Sequence, residues 1–248
     1  MGEIIGIVSG KGGVGKTTIT ACLGSALSYA GHRVLLCDGD FGLRDLDLVL
    51  GVANEIIYDA LDASEDKDYM DDAVVSIAEN LDFLPASQSA RWEDIGRKKY
   101  KKLVRRLCEE YDYILIDCAP SLGMLTINAL VAADAVIIPV PAAYLPVKGL
   151  VQLLKTISMV KRRLNRKLQI EGILITMADF RTNFAKDISA KLYEAYDSTI
   201  GIFKTYIPQS VRAAECGAEG ISIYKHDPNG NAADAYHRLT LEVLSHEN

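Results

Sequence analysis

No apolar run in the 248 residues reaches the roughly 18 that a membrane-spanning helix needs, and no basic-then-apolar leader with a cleavage site opens the sequence. The protein is therefore expected in the cytoplasm. Paired cysteines are missing too. Cys22, Cys37, Cys108, Cys118 and Cys216 are scattered without a C-x-x-C, which predicts buried, reduced thiols rather than a disulfide or metal framework. Excess positive charge is absent: 27 Lys and Arg against 33 Asp and Glu leave a net charge of −6. That excludes a protein coated in basic surface for nucleic acid and leaves room only for a local patch. There is no internal repeat, low-complexity tract or linker, so residues 1–248 are expected to form one domain with a substantial core. Apolar content of 49% and charged content of 24% suit a soluble globular protein.

The most informative stretch present is Ser9-Gly10-Lys11-Gly12-Gly13-Val14-Gly15-Lys16-Thr17-Thr18. It follows an apolar run over residues 4–8 that predicts a buried strand, and leads into residues 19–30, which predict a helix. A strand, a glycine-rich turn and a helix opening on Gly-Lys-Thr form the context of a phosphate-binding loop. Glycines let backbone N–H groups turn inward around a polyphosphate, and the helix N-terminus adds partial positive charge. In that role Lys16 reaches the outer phosphates and the Thr17 hydroxyl holds Mg²⁺. A chance glycine turn would match Gly-x4-Gly-Lys-Thr as well, but would not need a strand before it and a helix after it.

Carboxylates follow at two strand ends. Residues 33–37 predict a second buried strand, which runs into Asp38-Gly39-Asp40. Acids at the carboxyl end of a strand beside a phosphate loop sit where ligands bind in open α/β sheets, although a turn or helix cap would use the same residues. Residues 113–116 predict another buried strand ending in Asp117, a Walker B pattern that offers a carboxylate to the hydration shell of Mg²⁺. Further strands are predicted over 81–84, 135–140 and 170–176, and helices over 91–110, from 147 onward and over 232–244. The acidic stretch 59–72 predicts a solvated connection with short helices. Strands alternating with helices predict an α/β fold, a mostly parallel sheet with helices on both faces.

Residues 91–110 place Tyr100, Leu103, Val104 and Leu107 on one face and Arg97, Lys98, Lys99, Lys101, Lys102, Arg105 and Arg106 on the other. The basic face reads as a patch for DNA phosphates or acidic lipid, or as a solvated face of snorkelling side chains.

Lys11 lies inside the loop, where the generic motif allows any residue, and Lys-Gly-Gly-Val-Gly-Lys-Thr-Thr resembles the deviant Walker A loop of the ParA/MinD family of dimeric ATPases. The resemblance continues along nearly the whole chain. Phe41-Gly42-Leu43-Arg44-Asp45-Leu46-Asp47 after the acid pair and Leu84-Pro85-Ala86-Ser87-Gln88 resemble the MinD branch. Cys118-Ala119-Pro120-Ser121-Leu122-Gly123, Met177-Ala178-Asp179-Phe180-Arg181-Thr182-Asn183 and Ile207-Pro208-Gln209-Ser210-Val211-Arg212 resemble the ParA/Soj branch. The resemblance implies a P-loop NTPase fold, ATP as substrate with Mg²⁺, and slow hydrolysis awaiting an activating partner of the MinE or ParB kind.

It further implies an ATP-dependent homodimer in which Lys11 reaches the partner subunit's ATP. Lys16 and Asp40 would act in catalysis, with Asp40 orienting the water and standing near the metal with Thr17 and Asp117. Asp38 would support Asp40. Gly10, Lys11, Gly12, Gly13, Val14, Gly15, Lys16, Thr17 and Thr18 would form the nucleotide loop, and Met177 and Pro208 would lie near the adenine. Arg181 and Arg212 become candidates for DNA contact, or for ordinary solvent-facing arginines.

By the same resemblance the cellular task is spatial organisation: MinD-like division-site placement, or ParA/Soj-like partitioning with non-specific DNA binding. MinD proteins end in a basic amphipathic helix that binds membrane; Ser245-His246-Glu247-Asn248 supplies none, which makes membrane contact doubtful. An iron–sulfur carrier or reductase of the same superfamily is a minor alternative: it needs cysteines placed to share a cluster between subunits, and only Cys118, beside the Walker B Asp117, comes near. A bacterial tyrosine kinase would carry a tyrosine cluster in its tail, and a nucleotide-sensing scaffold would not need the full set of charged site residues.

Overall fold

The computed structural model describes residues 2–41, 44–88, 92–142 and 147–246, the side chains of 92–94 and 147–148 apart. The chain opens with β1 (Glu3–Ile7), α1 (Lys16–Tyr29) and β2 (Val34–Gly39). Short α2 (Leu46–Leu50) and α3 (Ala60–Glu65), with a 3₁₀ turn at Lys67–Tyr69, lead to β3 (Val75–Ala78) and β4 (Leu81–Leu84). Next come α4 (Trp92–Leu107), β5 (Tyr113–Cys118), α5 (Met124–Ala132), β6 (Ala135–Pro141), α6 (Val147–Arg163) and β7 (Gln169–Thr176). The last helices are α7 (Asn183–Tyr196), α8 (Val211–Glu219), α9 (Ile223–His226) and α10 (Asn231–His246).

The strands form one sheet in the order β3-β4-β2-β5-β1-β6-β7, and every pairing is parallel except β3 with β4. β2 and β5 are buried along their whole length, as expected of parallel strands covered on both faces. Leu103, Val104, Leu130, Leu153 and Ile188 cover one face; Leu23, Leu27, Cys216, Tyr236 and Leu239 cover the other. α1 lies between the sheet and α10, which explains why it is apolar nearly all round rather than striped. All five cysteines are free and buried. Among the described residues no helix is long and apolar enough to cross a membrane.

Two expectations need amendment. The helix expected over 91–110 is not continuous: Gly96 takes φ 65°, ψ 152°, breaking α4 near its start, and regular helix ends at Leu107. Without a Cβ, Gly96 adopts this left-handed φ at little cost while giving up helical hydrogen bonds. Tyr100, Leu103, Val104 and Leu107 are buried as the spacing requires. Arg105, counted on the basic face, is instead bound in a two-pronged ion pair to Asp134 (2.6 and 3.0 Å), whose carboxylate also accepts from the Ile4 N–H (3.2 Å). That arginine ties α4 to the start of β6 and β1. The antiparallel edge strand β3 has no counterpart in the sequence reading.

Candidate nucleotide site

The loop between β1 and α1 is built on two left-handed glycines, Gly13 at φ 70° and Gly15 at φ 92°, the latter capping α1. L side chains adopt such φ values only at a cost, so glycine holds the turn open there. Two further contacts fix the loop. The Ser9 hydroxyl donates to the Lys11 carbonyl (2.5 Å), and the Thr176 hydroxyl at the end of β7 donates to the Val14 carbonyl (3.1 Å). Lys16 begins α1 and is only 7% exposed, whereas Lys11 is exposed and joins no ion pair among the described residues.

Gly10 lies hard against Gly149 in the first turn of α6: a Cβ on Gly10 would stand 2.3 Å from the Gly149 carbonyl oxygen. Gly10→Ala is therefore expected to displace the loop, costing about 2 kcal/mol of stability and about tenfold in nucleotide affinity. Gly12→Ala, whose Cβ would meet only the Pro120 Cβ at 3.5 Å, should leave stability within about 0.5 kcal/mol of wild type. Thermal melts and fluorescent-nucleotide titration compare the two variants.

Sheet register brings the acids together. Asp38 pairs with Asp117 across β2 and β5, and Asp117 pairs with Ile7 just before the loop. Asp38 is buried and accepts from the Asp40 N–H (2.8 Å) and the Leu46 N–H (3.4 Å), so it holds the turn carrying Asp40. Burial pushes its carboxyl up to about 8, with Asp117 and Asp40 adding to the shift and the two N–H groups opposing it. Asp117 is 5% exposed. Burial raises it to about 7 against the Thr17 hydroxyl bonded to it and the charge of Lys16. Half-buried Asp40 is also raised, by burial and then Asp45, and Lys16 opposes this.

Both deeply buried acids hold a proton more tightly in the folded chain than at their ordinary 3.8. The native state therefore binds more protons than the unfolded state between about pH 4 and 8. Without nucleotide, stability is expected to fall as pH rises through that window, by at most about 1.4 kcal/mol per pH unit for each acid, and to level off above it. Denaturant melts from pH 5 to 9 on wild type, Asp38→Asn and Asp117→Asn measure this. A slope unchanged by either substitution would contradict the assignment.

Asp117 Oδ1 is buried without a hydrogen-bond partner among the described residues. An orphan carboxylate oxygen beside the Thr17 hydroxyl fits a hydrated hard cation, which takes oxygen ligands and keeps several waters.

Beside the loop, a cleft of about 260 Å³ is lined by Gly15, Thr18, Met177, Pro208, Gln209 and Ala213 among others. Met177 and Pro208 meet because the Ala178 N–H donates to the Ile207 carbonyl (3.1 Å) and the Gln209 N–H to the Ala178 carbonyl (3.2 Å). Met177 itself sits at φ 51° and is 40% exposed. Thus every residue named for the site converges on one end of the sheet. Thr176, Gly149 and Ala213 were not anticipated; only the place of Thr176 at the end of a predicted strand hinted at a role. Gly42 and Leu43 lie outside the described residues. Arg44 is buried in a 2.7 Å ion pair with Asp47. Arg181 pairs with Asp179 and Arg212 with Glu215.

A phosphate loop between strand and helix, flanked by carboxylates at the ends of adjacent parallel strands, defines a P-loop NTPase. A family model described as "AAA domain" matches residues 2–170. The sporulation initiation inhibitor protein Soj of Bacillus subtilis is 40% identical over 99% of both chains. The chromosome partitioning protein ParA of Myxococcus xanthus is 35% identical over 100% of this chain and 89% of its own. Two solved structures share the fold across nearly all of both chains. Cobyrinic acid a,c-diamide synthase of Mycobacterium smegmatis, with ATP analogue and magnesium, has TM-score 0.86 and 28% identity, covering 100% of this chain and 96% of that one. The septum site-determining protein MinD of Pyrococcus horikoshii, with Mg-ADP, has TM-score 0.77 and 29% identity, covering 98% and 96%. The chain belongs to the ParA/MinD family of deviant Walker A ATPases.

Proposed function

We propose that this protein is a cytoplasmic, Mg²⁺-dependent ATPase that works as a dimerisation switch in partitioning of the ParA/Soj type. The observation that carries this reading is the placement of two lysines with opposite exposure on one loop: Lys16 buried beside Asp117, and Lys11 exposed at the surface. Phosphoryl transfer asks little covalent chemistry of a protein beyond positioning and neutralisation of charge. Backbone N–H groups of residues 11–17 and the Lys16 ammonium hold the phosphates. The Thr17 hydroxyl and the Asp117 carboxylate would hold Mg²⁺, which when bound would supply positive charge against the phosphates. Asp40, fixed through Asp38, orients the attacking water. Lys11 acts on the ATP of a second copy, so nucleotide adds contacts across the interface and hydrolysis removes them, the differential affinity a switch requires.

The Soj and ParA relatives, similar over essentially the whole chain, support partitioning over division-site placement. The likeness to MinD keeps the latter as the second reading. Burial of all five thiols speaks against a shared iron–sulfur cluster. The test is binding of non-specific duplex DNA with ATP at 50 to 200 mM salt. ATP-dependent affinity with a steep salt slope supports partitioning. Absence of binding at low salt, with ATP-dependent sedimentation on anionic liposomes, supports the MinD-like role instead.

A further inference from the structure

A groove of about 610 Å³ lies along the exposed face of α6, away from the nucleotide cleft, with Tyr196 at the end of α7 closing one side. Leu154, Met159 and Tyr196 give it apolar walls, and Lys155, Arg162 and Arg163 line it with positive charge. Met159 is 41% exposed, a large apolar side chain left open beside charged neighbours. Lys161, Arg166 and Lys167 extend the charge past the end of α6, and all six cations are exposed. None of the six joins an ion pair among the described residues, on a chain whose net charge is −6. The C-terminal end of α6 favours cations. Yet a helix end needs only one or two of them, and it needs no apolar trough.

We infer that this groove is the docking site of an acidic amphipathic helix from a partner protein. Apolar anchors spaced i, i+3, i+4 and i+7 lie along the α6 face against Leu154, Met159 and Tyr196, while carboxylates on the flanks meet the cations. Met159 suits such an anchor because its unbranched side chain adapts to its neighbour. Nucleic acid fits less well: a phosphate backbone uses the cations but gains nothing from Leu154, Met159 or Tyr196. The groove is also connected to the site already described. Gly149 in the first turn of α6 touches Gly10, and a Cβ on Gly149 would meet the Lys11 Cγ at 3.5 Å. A partner that shifts α6 therefore moves the loop bearing Lys11 with no side chain to absorb the displacement. This last step rests on the proposed switch; the docking itself does not.

The test uses a fluorescein-labelled helix of about 18 residues, roughly the length of α6. Leucine and methionine occupy its apolar stripe and glutamate its polar face; a second peptide carries lysine in place of every glutamate. Anisotropy should report binding of the acidic peptide alone, weakening on added salt. Affinity should fall at least about tenfold in Lys155→Glu/Arg162→Glu/Arg163→Glu and in Met159→Glu, all exposed positions whose folding is verified by circular dichroism. Failure of the acidic peptide to bind wild type, or equal binding by the triple variant, overturns the proposal. Duplex DNA that loses affinity in the triple variant but not in Met159→Glu, while the peptide is unaffected by either, reassigns the patch to nucleic acid. Dimerisation of the wild type in ATP is measured in parallel. Peptide binding that obeys these rules in a protein with no ATP-dependent dimer leaves the docking site standing and removes the switch.

Discussion

Lys16→Ala is expected to lower ATP turnover by at least about three orders of magnitude, and to weaken ATP far more than it perturbs the fold. Lys16 is the first residue of α1, almost buried, and its charge bears on both Asp117 and Asp40. Among the described residues of the site it is the buried cation that faces the Asp117 and Asp40 carboxyls. Removing it leaves transferring phosphates facing uncompensated negative charge in a poorly solvated cleft, where electrostatic terms are largest. Without nucleotide the loss is milder, because Asp117 and Asp38 take up protons near neutrality. Phosphate release and fluorescent-ATP titration measure the two effects. Turnover within tenfold of wild type would mean that Lys16 does not face the phosphates.

Lys11→Ala should separate binding from assembly. The Lys11 side chain is exposed and in no ion pair among the described residues, and the Ser9 hydrogen bond goes to its backbone carbonyl. Truncation therefore leaves the loop conformation intact. Affinity of the monomer for ATP should change by no more than about threefold, while ATP-dependent dimerisation should weaken by about a hundredfold, the scale of a charge-assisted contact in a water-poor interface. Analytical ultracentrifugation with ATP and with ADP reads the second quantity, and fluorescent-nucleotide titration at low protein concentration reads the first. A large loss of monomer affinity would place Lys11 on its own subunit's nucleotide instead.

These two lysines also show what a linear sequence can carry. The phosphate loop was legible because its chemistry is local: glycines, lysine and threonine at fixed spacing between an apolar run and a helix. Asp38, Asp40 and Asp117 were legible as strand-end acids, but the pairing of Asp38 with Asp117 belongs to sheet register, which no spacing encodes. The same holds for the Thr176–Val14 hydrogen bond, made between residues 162 apart. Met177 and Pro208 were placed by family resemblance, and the Ala178–Pro208 bridge supplies the physical reason that they meet. Helix periodicity on α4 identified the buried face correctly and missed the break, because one glycine's φ overrides an otherwise helical pattern. Arg105 looked like one more cation on a solvated face until Asp134 was brought beside it by the chain's return through β6. The α6 groove was invisible, since Tyr196, which closes one side of it, comes from the far end of the next helix in the sequence.

The central claim is a nucleotide-driven dimer that depends on Lys11, and light scattering on Asp40→Ala tests it most directly. This substitution is expected to slow hydrolysis and so hold the ATP-bound state. The account predicts a monomer with ADP, a dimer with ATP, and a return to monomer with ATP when Lys11→Ala is added. A protein that binds both nucleotides yet stays monomeric in each, or a dimer indifferent to Lys11, would contradict it.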